Sequence, residues 1–245
     1  MKGRRMLSQG IIYSAAGQQY IQEAICSALS SYRFNKIPHI IYCDNLPPSG
    51  HGGIHYIQFE RGANPYLDKI RNMSKSPFLE TLFLDTDTYV TGGLSELFEL
   101  TRRFEISAAH APSYTKCADS SCDALHDFNT GVLAFPTSRE VQKFLRTWHN
   151  LYRDWLWNPP FIDAGDSSGI ADQPAFRRCI LDSDIKVYVL PPEFNYRTTS
   201  PGRLVGQAKI LHGRSSHYAS LSMILNRDVG KARIFDEFPL DWAPS

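Results

Sequence analysis

Phe83-Leu84-Asp85-Thr86-Asp87 is an apolar run that stops abruptly at two carboxylates one residue apart. Residues 82–84 read as a buried strand: they are too few for a helix, with Ser76-Pro77 upstream and Gly92-Gly93 downstream as breakers. A strand that carries Asp-x-Asp to its carboxyl end delivers both acids to the edge where open α/β sheets bind ligands. On an ideal strand Asp85 and Asp87 share one face, which crowds two negative charges. A hard divalent cation that also grips phosphate oxygens relieves that crowding.

Outward from this stretch, strand and helix patterns alternate. Upstream, residues 11–13, 40–43 and 54–59 read as strands, and 66–73 as a helix. Residues 18–32 repeat Tyr20, Ile21, Ala24, Ile25, Ala28 and Leu29 at helical spacing. Downstream, 94–100 reads as a helix, 105–109 and 132–135 as strands, and Asn129-Thr130-Gly131 as a turn into the second of these. Residues 138–155 form a helix with Val141, Phe144, Leu145, Trp148 and Leu151 on one face, and a Pro/Gly/Asp-rich loop follows to 169. Residues 172–181 form another helix, with Asp172 as its N-cap and Pro174 in the first turn. Residues 187–190 and 210–211 are strands, the last running into His212-Gly213. This alternation implies an α/β fold with a mainly parallel, Rossmann-like sheet flanked by helices. No repeat or linker divides the chain, so one domain spans 1–245, with a nucleotide-binding half at about 8–110 and a donor/acceptor half at about 111–245.

Composition narrows the partners. With 26 Lys+Arg against 25 Asp+Glu the net charge is +1, so no general field draws the chain to nucleic acid or an anionic surface. No apolar run approaches the roughly 18–20 residues of a membrane helix, and no targeting segment stands out, so a cytoplasmic protein is expected. Of five cysteines, Cys26 and Cys43 fall in apolar runs and are expected to be buried thiols. Cys117 and Cys122 are spaced to clip a loop, without the second Cys/His pair a zinc site needs. Trp148, Trp155 and Trp157 are expected in core and loop packing rather than as a sugar-stacking platform.

Ser14-Ala15-Ala16-Gly17 occupies the first strand-to-helix turn, where small residues admit a nucleotide or simply permit tight packing. It is neither a dinucleotide fingerprint nor a P-loop. Lys69 and Arg71 precede the acidic strand on a helix, and Arg214 follows His212; each is a phosphate partner or a solvated surface charge.

Leu84-Asp85-Thr86-Asp87, Phe128-Asn129-Thr130-Gly131-Val132, Asp172-Gln173 and Leu211-His212-Gly213 occur in an order that resembles glycosyltransferases of the GT-A fold. The chain is most similar to glycosyltransferase family 8, the glycogenin and lipopolysaccharide galactosyltransferase type. The resemblance implies Asp85, Asp87 and His212 as ligands of Mn²⁺ (or Mg²⁺), which would hold the diphosphate of a nucleotide sugar, UDP-linked in this family. It further implies that Asn129, Asp172 and Gln173 line the donor sugar; Ala15, Ala16, Gly17, Lys69, Asp85, Thr86, Gly213 and Arg214 are the other candidates for donor binding. Asp172 and Gln173 would act at the sugar, with retention of configuration. The acceptor would be a saccharide, lipid-linked or protein hydroxyl. The chain departs from the family where Arg214-Ser215-Ser216-His217 replaces a Lys-Pro-Trp segment, so Arg214 or Arg203 would stand in for the lysine. Pro-Ala-Phe also follows Asp172-Gln173 in place of the frequent Ile-Leu-Asn. Asp163 and Asp166 are candidate acceptor-side bases, required if the enzyme inverts.

Two other readings compete. Asp85 to Thr88 also matches the Asp-x-Asp-x-Thr nucleophile motif of haloacid-dehalogenase-type phosphohydrolases, although there the motif sits on the first core strand and here three strands precede it. A non-catalytic nucleotide-sugar-binding protein would carry the same residues.

Overall fold

In the computed structural model, which describes residues 7–112, 126–158, 171–238 and 242–243, the chain opens with β1 (Leu7–Ala15), α1 (Gln18–Tyr32), β2 (His39–Cys43), β3 (Ile54–Gln58), α2 (Pro65–Met73) and β4 (Phe78–Leu84). There follow β5 (Thr88–Val90), α3 (Ser95–Thr101), β6 (Ile106–His110), β7 (Phe128–Pro136), α4 (Arg139–Trp157) and α5 (Gln173–Leu181). The chain continues through β8 (Val187–Leu190), β9 (Tyr196–Arg197), β10 (Gly202–Leu204), β11 (Ile210–His212), α6 (Tyr218–Leu225) and β12 (Arg233–Phe235). Cys117, Cys122, Asp163 and Asp166 lie outside the described residues.

Seven strands form the main sheet in the order β3-β2-β1-β4-β7-β6-β8. The first four are mutually parallel, β7 runs antiparallel between β4 and β6, and β8 is parallel to β6. The fold class is therefore as expected: α/β, with a mainly parallel sheet between two helical layers. Side-chain alternation assigns each residue to a layer. Ile11, Tyr13, Leu82, Leu84, Val132 and Ala134 pack under α1 and α3, whereas Ile12, Phe83, Leu133 and Phe135 pack under α2, α4 and α5. Helix starts follow local chemistry: Asn64 Oδ1 accepts from the backbone N–H groups of Tyr66 and Leu67 at 2.9 and 3.2 Å, with Pro65 next to it, and Ser138 Oγ accepts from Val141 N at 3.1 Å.

Four local expectations change. Asn129-Thr130-Gly131 is not a turn but part of β7, because Phe128 and Asn129 pair with His110 and Ala109 of β6 and Gly131 O accepts from Asp85 N. Cys26 is exposed, lying on the outer face of α1, while Cys43 and Cys179 are buried. Trp148 is fully buried against Phe176, but Trp157, at the end of α4, is 82% exposed and packs into no core. Finally, α4 runs two residues into the expected loop.

A small second sheet, β5-β11-β9, stands at the carboxyl edge of β4. It is closed by a cluster of Tyr196, Leu204, Ala208, Leu211, Leu221 and Leu225. Between α1 and β1 lies a buried histidine: His39 Nδ1 donates to Ile37 O at 2.8 Å, and Nε2 accepts from Ser31 Oγ at 2.9 Å. Burial lowers its pKa to about 4, the Ile37 hydrogen bond opposing. The folded value lies below the ordinary one, so the unfolded chain takes up a proton first as pH falls. The neutral ring contributes stability that is complete above about pH 6.5 and is lost progressively toward pH 4, by roughly 3 kcal/mol. Urea denaturation of the wild type and of His39→Gln at pH 7 and 4.5 checks this; the variant should lose that share of the pH dependence.

Candidate metal and donor site

β4 ends at Leu84, and its partner in β7 is Val132, so the next residues of each strand also meet: Asp85 N donates to Gly131 O at 2.7 Å. After the two-acid turn, β5 pairs antiparallel with β11, setting Thr88 against His212, and Gly213 N donates to Asp87 O at 3.0 Å. His212, well over a hundred residues away in sequence, is thereby delivered to the Asp-x-Asp turn. Gly213 makes the exit possible: its φ of +125° suits glycine, and a side chain there would meet Thr198.

His212 Nε2 lies 3.4 Å from Asp87 Oδ1 and 3.8 Å from Asp85 Oδ2, and ligand atoms of all three residues fall within 4.8 Å of one another. The imidazole is 2% exposed, and its orientation is determined by a chain of amides. Asn129 Oδ1 accepts from Gly131 N at 3.0 Å and from Asn195 Nδ2 at 2.9 Å, which turns Asn195 Oδ1 toward His212 Nδ1 at 2.7 Å. An amide oxygen only accepts, so Nδ1 carries a hydrogen and Nε2 is the ring atom turned toward the two carboxylates. Three acceptors then face one another, and either a proton on Nε2 or a cation must lie between them. A Cβ on Gly131 would collide with His212 Cε1 and Asp85 Oδ2, so glycine alone leaves the cradle open. The donor set, two carboxylates and an imidazole, fits a divalent ion of the Mn²⁺ or Mg²⁺ kind. Hydrogen bonding and charge from His212, with Arg214 and Arg197 nearby, outweigh burial and hold the Asp87 carboxyl well below the usual carboxylate range.

On the other side of Asp85 lies a buried ion cluster. Lys69 Nζ is 3.2 Å from Asp85 Oδ1, 3.4 Å from Asp172 Oδ2 and 3.1 Å from Thr130 Oγ1. Thr130 in turn donates to the Asp172 carboxylate at 3.0 Å. Burial works against the Lys69 ammonium, but Asp172 and Asp85 raise its pKa above the ordinary value. Burial likewise pushes the Asp172 carboxyl up, with Lys69 opposing. Asp172 holds the N-cap position of α5, yet its side chain makes no capping bond. The carboxylate has been drawn into the ion cluster instead, while Trp148 Nε1 donates to its backbone oxygen at 3.0 Å.

One cavity of about 470 Å³ collects most of the expected residues: Ala16, Lys69, Asp85, Thr86, Asp87, Asn129, Asp172, Gln173, His212 and Arg214 all line it. Ala15, Gly17 and Gly213 do not. Ala15 is buried in the core below, Gly17 N is bonded to both carboxylate oxygens of Asp44 at 2.9 and 3.0 Å, and Gly213 acts through its backbone. Arg71 is committed to Asp68 at 2.6 Å and Arg203 is exposed on β10, so neither borders the cavity. Gln173 Oε1 is buried without a hydrogen-bond partner among the described residues. Sequence reasoning missed Asn195, Thr130 and Arg197. Asn195 follows a Pro-Pro-Glu-Phe segment with no recognisable local signal, and Thr130 appeared within a turn and a family-like motif without a role of its own.

No protein-family model matches the chain, and no curated protein matches it. Solved structures do. Glycosyltransferase GlyE of Streptococcus pneumoniae TIGR4 superposes with a TM-score of 0.56 at 17% identity, over 84% of this chain and 55% of that one. Its apo form gives 0.54 at 16%, over 79% and 47%. The galactosyltransferase LgtC, in complex with donor and acceptor sugar analogues, gives 0.51 at 16%, over 77% and 75%. This chain thus has the fold of GT-A glycosyltransferases and spans about half the length of GlyE.

Two outcomes follow from this geometry. Asn195→Ala frees the imidazole to rotate and should weaken Mn²⁺ binding by about 10–100-fold, measured by electron paramagnetic resonance titration. Lys69→Met strands Asp172 as a buried charge and should cost about 3–5 kcal/mol in urea unfolding, much of it recovered by adding Asp172→Leu.

Proposed function

We propose that the chain is a metal-dependent glycosyltransferase that moves a sugar from a nucleotide-diphosphate sugar to an acceptor hydroxyl. One observation carries the reading: in a GT-A fold, ligand atoms of Asp85, Asp87 and His212 gather within 4.8 Å of one another beside a polar cavity. Asp85, Asp87 and His212 would hold the cation; two carboxylates suit Mg²⁺ or Mn²⁺, and the imidazole favours Mn²⁺. When bound, such an ion supplies Lewis-acid neutralisation of the charge that develops on the departing diphosphate.

The remaining work belongs to side chains. Lys69 stands between Asp85 and Asp172, 3.2 Å from one and 3.4 Å from the other, and so holds the two carboxyl groups apart with Asp85 on the side of the cation site. Arg214 and Arg197 border the cavity on the Asp87 side, where phosphate oxygens would need positive partners. Gln173 offers the cavity a buried carbonyl oxygen without a partner, suited to a sugar hydroxyl. Asp172, beside it, lends a fixed negative charge to a sugar carbon that becomes cationic as the bond breaks. We assign these two residues to the donor sugar, with retention of configuration and a uridine diphosphate carrier as the resemblance implies. Asn129 holds Asn195, its carbonyl oxygen already accepting two bonds. The LgtC complex with donor and acceptor sugar analogues supports a sugar acceptor here as well. No observation favours Asp85 as a phosphohydrolase nucleophile or a non-catalytic binding role. Among the described residues no helix is long and apolar enough to cross a membrane.

A thermal-shift panel of nucleotide sugars with and without Mn²⁺ tests the proposal. A ligand at 100 times its Kd should stabilise the wild type by about 2.7 kcal/mol. Asp87→Ala should keep its fold and lose that metal-dependent shift; an undiminished shift in this variant rejects the assignment.

A further inference from the structure

Glu23, on the second turn of α1, reaches both segments that carry the ligand triad. Its Oε2 accepts from Thr86 Oγ1 at 3.1 Å, between the two acids. Arg214, two residues past His212, donates Nε to Oε1 at 2.8 Å and Nη2 to Oε2 at 3.3 Å. Tyr20, one turn earlier on the same helix, lies with its ring centre 5.5 Å from the guanidinium carbon. A long side chain that is 45% exposed is therefore gripped along one edge and covered by a ring. Nε and Nη2 are spent on Glu23, whereas Nη1 has no partner among the described residues, and Arg214 borders the cavity together with Asp85 and Asp87.

We propose that Glu23 is a positioning residue that presents the free edge of Arg214 to the donor's diphosphate; the inference rests on the nucleotide-sugar reading of the site. Guanidinium is a planar fork with two usable edges, so clamping one directs the other. The clamp also has an electrostatic purpose. Asp87 feels the charge of Arg214, and an untethered arginine would pair with that carboxylate and occupy a ligand of the cation. Tied to Glu23, the arginine stays in place without consuming Asp87, and its ordering is complete before the donor arrives. Thr86, in the middle of the acidic motif, extends the same clamp to the turn.

The test is calorimetric titration of uridine diphosphate in saturating Mn²⁺, and of Mn²⁺ alone, into wild type, Glu23→Ala, Glu23→Gln, Arg214→Ala and the double alanine variant. Glu23→Ala should weaken diphosphate binding about tenfold, as for a misplaced charge-assisted bond. Glu23→Gln, which keeps one acceptor for Nε, should regain most of it and serves in place of the alanine variant should that fail to fold. The double variant should bind no worse than Arg214→Ala, because Glu23 acts through that arginine. Binding of Mn²⁺ alone should be unchanged in Glu23→Ala. Wild-type or tighter diphosphate binding by Glu23→Ala overturns the inference, as does a loss that adds to that of Arg214→Ala or one equally visible with Mn²⁺ alone. A wild type that ignores uridine diphosphate removes the nucleotide-sugar reading, and this inference with it.

Discussion

Negative charge gathered where water is scarce is the constraint around which this molecule is arranged. Asp85, Asp87 and Asp172 stand close together with one buried ammonium, Lys69, among them. With Lys69 set between Asp85 and Asp172, the Asp85–Asp87 pair is left facing His212, where a divalent cation would offset the crowding of the two acids. The arginines at the rim then remain for an anionic ligand. A carboxylate as buried as that of Asp172 persists only when paired and hydrogen-bonded. Thr130, the Gly131 carbonyl cradle and the Asn129–Asn195–His212 chain are therefore conditions for the site to exist, not accessories to it.

The backbone meets this demand by reversing direction at one strand. A fully parallel sheet would put the start of every neighbour far from the end of β4. Because β7 runs antiparallel, its first residues lie beside the last of β4. The pairing of β7 with β6 also jumps from Ala108–Leu133 to Ala109–Asn129, so Thr130 and Gly131 escape a regular ladder. Irregularities of this kind re-aim side chains at sheet ends. Thr130 thus reaches Lys69 and Asp172.

Legibility in the sequence followed the range of the physics involved. Period-2 and period-3.6 patterns are local, and β1, α1, β2, β4 and α4 could be read to within a few residues. The acidic pair was visible because an apolar strand ends there. Asn129-Thr130-Gly131 was misjudged because glycine and asparagine signal turns, whereas this glycine is demanded by the approach of His212 and Asp85. Asp172 looked like a cap because cap positions favour aspartate; only the fold reveals that Lys69 outbids the backbone N–H groups. Cys26 seemed buried from its apolar neighbours, but a helix turns, and its face points outward. Asn195 and Glu23 act across tens to hundreds of residues, and no spacing announces such partners.

The ligand triad straddles two sheets: Asp85 follows a strand of the large one, while His212 ends a strand of the small one. An ion bound there as proposed would consequently be a rivet as well as a reagent. Its binding energy would fasten the β5-β11-β9 sheet to the main sheet, so occupancy of the site and the integrity of that junction would rise and fall together.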